Sequence, residues 1–293
     1  MENSLWQIQL VKRSLKKKEK LEILAGEPKL SPSAIVLDLG CAQGILSFFL
    51  KKKGGFWIHA DQDLENLETS RPLLQSNLLQ LGPGLLPFKD NSIEQVFSLD
   101  YLEHLDDDLL CLKEIHRILK KGGKLIIATP RTGKGYLLHK LRPFLGMKLE
   151  FYGHKREGYT PQDLKAKMEE AGLLPVKTKT FSRFFTEFLE LLLNFAYITF
   201  MSPKNVSKLR DGRIRPSSST EFQSKKKAFK FYTLIYPLVR LVSYLDVLLF
   251  WQRGYGLMIW AKKKDKNPRK DLKTLSGLVS DETIIKEKQE HGA

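Results

Sequence analysis

A short stretch of the sequence places one carboxylate and two glycines where an apolar run gives way to a helical pattern. Residues 36–44 read VLDLGCAQG, with Asp38 inside the apolar run and Gly40 and Gly44 framing the turn that follows. In an open α/β sheet, ligands bind beyond the carboxyl ends of the strands, and glycines there let the backbone approach a ligand closely. A carboxylate at that edge suits a cationic or ammonium-bearing ligand better than a pyrophosphate.

Two nucleotide-binding motifs with similar turns do not fit this stretch. No Gly-Lys-Ser/Thr follows Gly44, which excludes the phosphate loop, and Gly-x-Gly-x-x-Gly is absent, which weakens the dinucleotide interpretation. Cys41 has no base beside it in sequence, so it is predicted to be a small buried residue rather than a nucleophile.

Two histidines are candidate general bases. His104 lies in YLEHL and His154 in FYGHKREGY, and a histidine titrates near neutral pH, which suits proton transfer. A structural role remains the alternative for both. The six histidines form no cluster at ligand spacing along the chain, so no metal site is predicted.

Short apolar runs alternate with helical patterns over most of the chain. This alternation predicts an α/β protein with a parallel sheet and helices on both faces. A lead-in helix is predicted at 5–24, and a helix at 109–123 is expected to end at Gly122-Gly123. The predicted strands are 34–39, 56–60, 76–80, 95–99, 124–130, 174–181 and 255–263.

About 75 residues separate the last two predicted strands, and they include two strongly apolar segments, 184–201 and 228–251. Each segment is long enough to span a bilayer but carries internal charge, which is costly at its centre. We therefore predict two helices lying in the membrane interface or a shallow re-entrant pair. A helical cap on the soluble core and a spanning hairpin are the alternatives.

The positive charge is concentrated between these segments. Lys+Arg 49 against Asp+Glu 33 gives a net charge of +16, and residues 201–230 alone carry nine of those cations against two carboxylates. A polybasic run beside apolar helices indicates attachment to an anionic membrane surface, with a solvated basic loop as the alternative. No nucleic-acid partner is predicted, because the sequence has no base-methylation motif or RNA-binding module.

The remaining features bound the class of protein and its organisation. A chain of 293 residues with 42% hydrophobic residues can build a sizeable core, and two cysteines exclude a disulfide scaffold. The N-terminus lacks the apolar region of a secretory signal, so a cytoplasmic location is expected, peripheral or monotopic on the cytoplasmic membrane face. The predicted segments are a basic helix and linker at 1–33, a core at 34–183, an insertion at 184–252, a last strand at 253–263 and a disordered tail at 264–293.

With these motifs in place, the sequence resembles the class I S-adenosylmethionine-dependent methyltransferases, most closely the ubiquinone-biosynthesis-like group (methyltransferase type 11). VLDLGCAQG is similar to motif I of that family. Further similarities follow in the family's order over IHADQD (58–63), LLPFKDNSIEQVFSLDYLEHL (85–105), KGGKLIIATP (121–130) and HKREGYTPQDLKAKMEEAGL (154–173). The resemblance implies a Rossmann-like, seven-stranded, mostly parallel sheet, here with an apolar helical insertion between its last two strands.

The resemblance also implies S-adenosyl-L-methionine as cofactor and assigns positions to it. Gly40, Cys41 and Gly44 would pass under the methionine part, and Asp38 would help to hold its amino group. The other implied cofactor-binding residues are Asp61 for the ribose hydroxyls, Gln62 beside the adenine and Leu99 beside the sulfur. Ala42 stands where the family usually has glycine, a change that is tolerable if this residue keeps a negative φ.

Together these features predict a methyltransferase acting on a hydrophobic or membrane-resident small molecule, such as a quinone precursor, a lipid or a lipid-linked sugar. A nucleic-acid methyltransferase and a non-catalytic, membrane-associated protein of the same fold are the alternatives.

Overall fold

A seven-stranded mixed sheet forms the centre of the fold, in the order β3-β2-β1-β4-β5-β7-β6. The computed structural model describes residues 5–82, 84–133, 136–145, 149–196, 199 and 219–264. All neighbouring strands are parallel except β7, which runs antiparallel to both β5 and β6. The predicted α/β, mostly parallel architecture is therefore confirmed. The strands are β1 (Ile35–Leu39), β2 (Phe56–Asp61), β3 (Leu78–Gln80), β4 (Ile93–Leu99), β5 (Leu119–Pro130), β6 (Leu173–Phe181) and β7 (Gly256–Lys263).

The central strands are apolar on both faces because helices cover both. Alternate side chains of a strand point to opposite faces, so neighbouring residues enter different cores. One core contains Leu37, Val96, Ile127 and Ile259. The other contains Val36, Phe97, Ile126 and Met258.

Eleven α-helices are present among the described residues. Those outside the segment between β6 and β7 are α1 (Trp6–Val11), α2 (Leu15–Ala25), α3 (Ile45–Leu50), α4 (Leu64–Leu74), α5 (Asp108–Ile118), α6 (Leu137–Leu141), α7 (Leu149–Tyr152) and α8 (Pro161–Glu170). Short 3₁₀ turns at Lys51–Lys53, Leu102–His104 and Pro143–Leu145 extend or link them. Thr160 caps α8 by accepting from the Asp163 N–H at 3.1 Å, as its sequence predicts.

Two helix boundaries differ from the sequence prediction. The predicted single lead-in helix is instead two helices. Ser14 has an extended backbone, and its hydroxyl accepts from the Lys17 N–H, so that Ser14 is the N-cap of α2. Helix α5 ends at Ile118 rather than at the glycine pair. The residues up to Gly123 instead begin β5, where Leu119 pairs with Ile93.

The segment between β6 and β7 adds α9 (Phe184–Ala196), α10 (Ser219–Ser224) and α11 (Lys226–Tyr244), the last extended by a 3₁₀ turn at Leu245–Leu249. Helix α9 is tied to the rest of the protein by Glu187, which is fully buried and pairs with Lys16 at 2.6 Å and with Arg142. At 13 residues, α9 is shorter than a bilayer requires. Residues 201–218, which hold five of the cations of the predicted basic run, and the predicted tail at 265–293 lie outside the described residues.

Helix α11 buries or partly buries two polar side chains of its second half and exposes apolar ones. Arg240 pairs with Glu22 of α2 at 2.7 Å and Ser243 is buried, whereas Lys226, Lys227 and Lys230 near the start of the helix are exposed. Four apolar residues at helical spacing are exposed and define what we call the apolar stripe, namely Phe231, Leu234, Leu238 and Leu241. Among the described residues, Lys226–Leu249 is the one helical stretch long and apolar enough to cross a membrane by length and composition.

The two ends of the segment between β6 and β7 lie side by side. The Tyr255 N–H donates to the Ser182 carbonyl at 2.7 Å, and the Gly254 N–H donates to the Thr180 hydroxyl at 3.1 Å. The chain therefore leaves the sheet and returns to it through one two-stranded stem.

Candidate active site

The turn after β1 is held against the neighbouring strand and against a tyrosine. Gly40 and Cys41 both donate their N–H groups to the Ala60 carbonyl of β2, at 2.8 and 3.0 Å. Gly40 has a φ of 81°, and a Cβ there would overlap the ring of Tyr101. Gly44, with a φ of 73°, would place a Cβ 2.7 Å from Leu74. Both positions therefore require glycine by conformation and by contact.

Ala42 does not keep the negative φ that would make alanine a tolerable replacement for glycine here. Its φ is 46°, in the left-handed region that non-glycine residues enter at a cost of about 1–2 kcal/mol. The Ala42 N–H donates to the Asp61 carboxylate at 2.8 Å, which holds the residue in this conformation. A glycine in this position would adopt the same turn without that cost.

Asp61 ends β2 and accepts three hydrogen bonds from the protein. Besides Ala42, the donors are the Asp63 N–H at 2.9 Å and the Asn66 amide at 3.1 Å. Burial raises the pKa of Asp61 even though these donors favour its charged form. A carboxylate has about four lone-pair positions, so roughly one remains for a ligand unless an internal bond opens.

Asp38 precedes the turn, and Cys41 lies within it. Asp38 is buried in β1, accepts a hydrogen bond from the Ser47 hydroxyl of α3 and lies 3.7 Å from His59 Nδ1. Burial, reinforced by Asp38 and Asp61, raises the pKa of the Cys41 thiol well above its usual value. The thiol therefore stays protonated at neutral pH, consistent with a packing role.

The structure places the remaining implied cofactor residues at two points of the sheet edge. Gln62 follows β2, is exposed, and its carbonyl lies 3.4 Å from the Gln80 amide. Leu99 ends β4, and its buried side chain packs in the core that contains Phe97. Cofactor binding by the seven implied residues stays a prediction, although the fold gathers most of them around the ends of β1 and β2.

Asp100, which sequence reasoning missed, follows Leu99 directly at the rim. Its φ of 57° is left-handed, and its carboxylate forms a salt bridge with Lys20 of α2. Burial alone would raise the pKa of Asp100, but the Lys20 ammonium outweighs it and holds that pKa below its usual value. The available signal was its position immediately after a predicted strand, where ligand-facing residues gather.

The fold brings the two candidate bases together. The rings of His104 and His154 lie 4.8 Å apart, although fifty residues separate them. His104 Nδ1 lies 3.0 Å from the Gly153 carbonyl, which can only accept, so Nδ1 carries the proton and Nε2 is the basic nitrogen. Burial lowers the pKa of His104, and burial together with His104 lowers the pKa of His154 to about 3. Both rings are therefore neutral at pH 7.

Glu103 completes this group and was not singled out by the sequence. It is fully buried, and one of its oxygens lies 3.2 Å from the Thr129 hydroxyl. Burial, reinforced by Asp100, raises the pKa of Glu103 to about 8, so it is mostly protonated at pH 7. The ligand-type atoms of Glu103, His104 and His154 all lie within 4.8 Å of one another. This spacing suits acid–base chemistry or the binding of a cation. The sequence did not indicate this cluster, because His154 is fifty residues from His104 along the chain.

Comparison with known proteins gives a family for this part of the chain. Residues 37–127 match the family described as "Methyltransferase domain". The ubiquinone biosynthesis O-methyltransferase of Ruegeria sp. (strain TM1040) is 29% identical over 154 residues, which is 50% of this chain and 62% of that protein. The glycine/sarcosine/dimethylglycine N-methyltransferase of Actinopolyspora halophila is 26% identical over 130 residues, 42% of this chain and 23% of that protein. The chain thus spans less than two thirds of the length of these relatives.

A solved structure agrees on the fold. The crystal structure of a methyltransferase-like protein of Bacillus halodurans superposes with a TM-score of 0.52, at 17% identity, covering 84% of this chain and 98% of the other. Identity at that level supports the architecture alone. The family match, the order of the motifs and the fold together identify residues 37–127 as a methyltransferase domain of the S-adenosylmethionine-dependent class.

Proposed function

We propose that this protein transfers a methyl group from S-adenosylmethionine to a hydrophobic, membrane-resident small molecule. The observation that carries the proposal is the combination of a methyltransferase domain with an exposed apolar stripe on α11. The relatives methylate oxygen in one instance and nitrogen in the other, as their names state, so they leave the acceptor atom open.

The residues at the sheet edge fit the proposed cofactor. The turn at Gly40 has no room for a Cβ, and Asp38, Asp61 and Asp100 lie in or directly after the last residues of the neighbouring strands β1, β2 and β4, which suits a ligand with positive charge. S-Adenosylmethionine, when bound, supplies a methyl group already activated by a sulfonium. The protein must then position the acceptor, exclude water and remove a proton where the acceptor carries one.

His104 is the proposed proton acceptor. Its Nδ1–H bond to Gly153 fixes the tautomer that leaves Nε2 basic, and Asp61 and Asp100 are close enough to favour its protonation. The pKa of His154, near 3, makes it a weaker base. We expect His104→Ala to lower kcat by about 10²-fold or more, with a smaller loss for His154→Ala. Equal losses in the two variants would contradict this assignment.

The apolar stripe supports attachment to a membrane. Leu234 is 76% exposed and Leu238 63%, and no charged residue lies between the four positions on that face of α11. Phe250 and Trp251 continue the exposed apolar surface just beyond the helix. A large exposed apolar patch on a helix marks an interaction surface, and aromatic residues favour the membrane interface.

A cavity beside the stripe supports an acceptor with an apolar portion. Its volume is about 500 Å³, within the range of small-molecule sites. Leu193 of α9 and Ile235 of α11 form part of its apolar wall, and Phe231 borders both the cavity and the stripe. Lys17 of α2 also lines the cavity.

Two measurements test the parts of the proposal separately. Calorimetric titration of the full chain with S-adenosylmethionine tests the cofactor, and no binding would leave a non-catalytic protein of the same fold. Incubation with radiolabelled cofactor and a total lipid extract, followed by isolation of the labelled product, tests the acceptor. Label recovered only in water-soluble products would contradict a membrane-resident acceptor.

Vesicle flotation tests the membrane surface. A Leu234→Glu/Leu238→Glu variant should bind anionic vesicles at least tenfold less, because each buried leucine contributes about 1.5–3 kcal/mol. The matched control, Leu64→Glu/Leu110→Glu, alters two exposed leucines on α4 and α5 and should bind as the native protein does. Equal recovery of all three proteins with the vesicles would refute the role of the stripe.

A further inference from the structure

Arg131 is a buried cation at the edge of the sheet where ligands bind in this fold. It directly follows β5, and its N–H donates to the Tyr255 carbonyl at 2.7 Å, which fixes the backbone there. Only 6% of the residue is exposed. The guanidinium carbon lies 5.0 Å from the centre of the Tyr136 ring, which covers one face of the group.

The guanidinium lacks the partners that its burial demands. Its Nε and Nη1 atoms are buried and have no hydrogen-bond partner among the described residues. Burial lowers the pKa of Arg131, and the next contribution comes from another cation, Arg253, which lowers it further. A buried charge without a counter-charge is strongly destabilising, so the Arg131 guanidinium requires a negatively charged partner that the described residues do not supply.

Other partly buried arginines of this protein do have carboxylate partners. Arg156 pairs with Asp108 at 2.6 Å, Arg117 with Glu114 at 2.7 Å, and Arg142 with Glu187. The packing around Arg131 differs, since aromatic and aliphatic residues surround Tyr136 beneath α9, among them Leu138, Leu191 and Tyr255. The missing negative charge is therefore expected to come from outside the described part of the chain.

The position of Arg131 relates this site to the proposed proton acceptor. Thr129, two residues earlier in β5, contacts Glu103, the neighbour of His104. Side chains two residues apart in a strand lie on the same face, roughly 7 Å apart. A group bound at Arg131 would therefore sit one small-molecule length from the Glu103–His104–His154 cluster.

We infer that Arg131 binds an anionic group of the methyl acceptor, a carboxylate or a phosphate, through its unpaired N–H donors. Both groups accept two parallel hydrogen bonds from a guanidinium, which a lysine cannot supply in the same geometry. The identity of the ligand as the acceptor rests on the proposed function, but anion binding at this position does not. The acceptor class is then an amphiphile with an acidic group close to the atom that receives the methyl group.

The test measures the binding of small aromatic anions to the full chain. The anionic group of each probe matches the Arg131 guanidinium, and its ring matches that of Tyr136. Binding of benzoate, phenyl phosphate and the neutral isostere benzamide is measured by calorimetry at constant ionic strength. Native protein should bind at least one of the two anions, and the stronger of them identifies the group. Arg131→Gln should weaken that binding at least tenfold, with Arg131→Lys intermediate and benzamide binding unchanged.

Arg253→Gln is the matched control, since it removes an exposed cation close to Arg131. It should change anion binding less than threefold. Equal losses of anion binding in Arg131→Gln and Arg253→Gln would indicate that the anion responds only to the overall positive charge of this region. Native-like anion binding by Arg131→Gln would show that the anion binds elsewhere. Either result overturns the inference. Thermal unfolding adds an independent readout, because without added anion Arg131→Gln should be at least as stable as the native protein. A loss of several degrees there would indicate a structural role and also overturn it.

Titrating the same preparations with S-adenosylmethionine separates the two proposals. Cofactor binding by Arg131→Gln with no anion binding by any form would reject the anion site alone. Anion binding that depends on Arg131, in a protein that binds no cofactor, would reject the methyltransferase proposal and keep the site.

Discussion

Replacement of Gly40 by alanine should destabilise the protein more than its backbone conformation alone explains. Gly40 and Gly122 both have positive φ, at 81° and 67°, but a Cβ at Gly122 would meet nothing within 4 Å. A left-handed alanine costs about 1–2 kcal/mol, and roughly 0.4–1 kcal/mol of this is offset by the reduced freedom of the unfolded chain. Gly122→Ala should therefore cost about 1 kcal/mol.

At Gly40 the added methyl group also overlaps the ring of Tyr101, which is buried and cannot move freely. Overpacking of this kind typically costs 1–3 kcal/mol, so the total for Gly40→Ala is about 2–4 kcal/mol. At about 2–4 °C per kcal/mol for a protein of this size, the melting temperature should fall by about 4–16 °C.

Thermal unfolding of both variants, followed by circular dichroism, measures the difference between them. Calorimetric titration with S-adenosylmethionine then shows whether displacement of Tyr101 weakens cofactor binding. If Gly40→Ala and Gly122→Ala lowered the melting temperature equally, the turn would have relaxed away from Tyr101 at no cost. The close contact would then not be what requires glycine at position 40.

Three further substitutions test individual parts of the site. Ala42→Gly removes the strain of a left-handed alanine, so it should leave the free energy of unfolding unchanged or raise it by about 1 kcal/mol. It should not weaken cofactor binding. A clear loss of stability in urea unfolding would contradict this. Glu103→Gln should reduce the dependence of stability on pH, because the pKa of Glu103 is raised to about 8: the contribution of Glu103 to stability is fully present below about pH 4.5 and is lost as the pH rises through 8. Matching slopes of the free energy of unfolding between about pH 5 and 8 in both proteins would reject this. Glu187→Gln should cost about 3–5 kcal/mol by leaving Lys16 and Arg142 without a buried counter-charge, and a loss under 1 kcal/mol in urea unfolding would show that the pairs contribute little.

The sequence predicted the parts of the fold that follow from local pattern. The apolar runs of the central strands are buried on both faces, so they stand out as continuous hydrophobic stretches, whereas β3 is three residues long at the sheet edge and gave a weak signal. Helix α5 was overextended because the glycine pair resembles a helix stop, while pairing with β4 recruits those residues into β5. Tertiary pairing thus outweighed a local signal.

The candidate site was predictable where a motif carries it and not where distant residues meet. The turn at Gly40 could be found from its sequence, since conformation and residue type are linked there. The approach of His154 to His104 depends on the loop that follows β5, and no pattern in either neighbourhood indicates it. Arg131 gave no sign either, because an unpaired buried cation can be recognised only once its surroundings are known.

The closed stem at Ser182 and Tyr255 lets the helical segment between β6 and β7 leave the sheet and return to it at one place. A replacement of different length would have to bring its two ends within one hydrogen bond of each other and to supply partners for Lys16, Arg142 and Glu22, while the strands that carry the turn at Gly40 would keep their register. Chimaeras that exchange this segment between related proteins, with these ion pairs kept, should therefore fold, and under the proposed function they would show whether the segment influences the choice of acceptor.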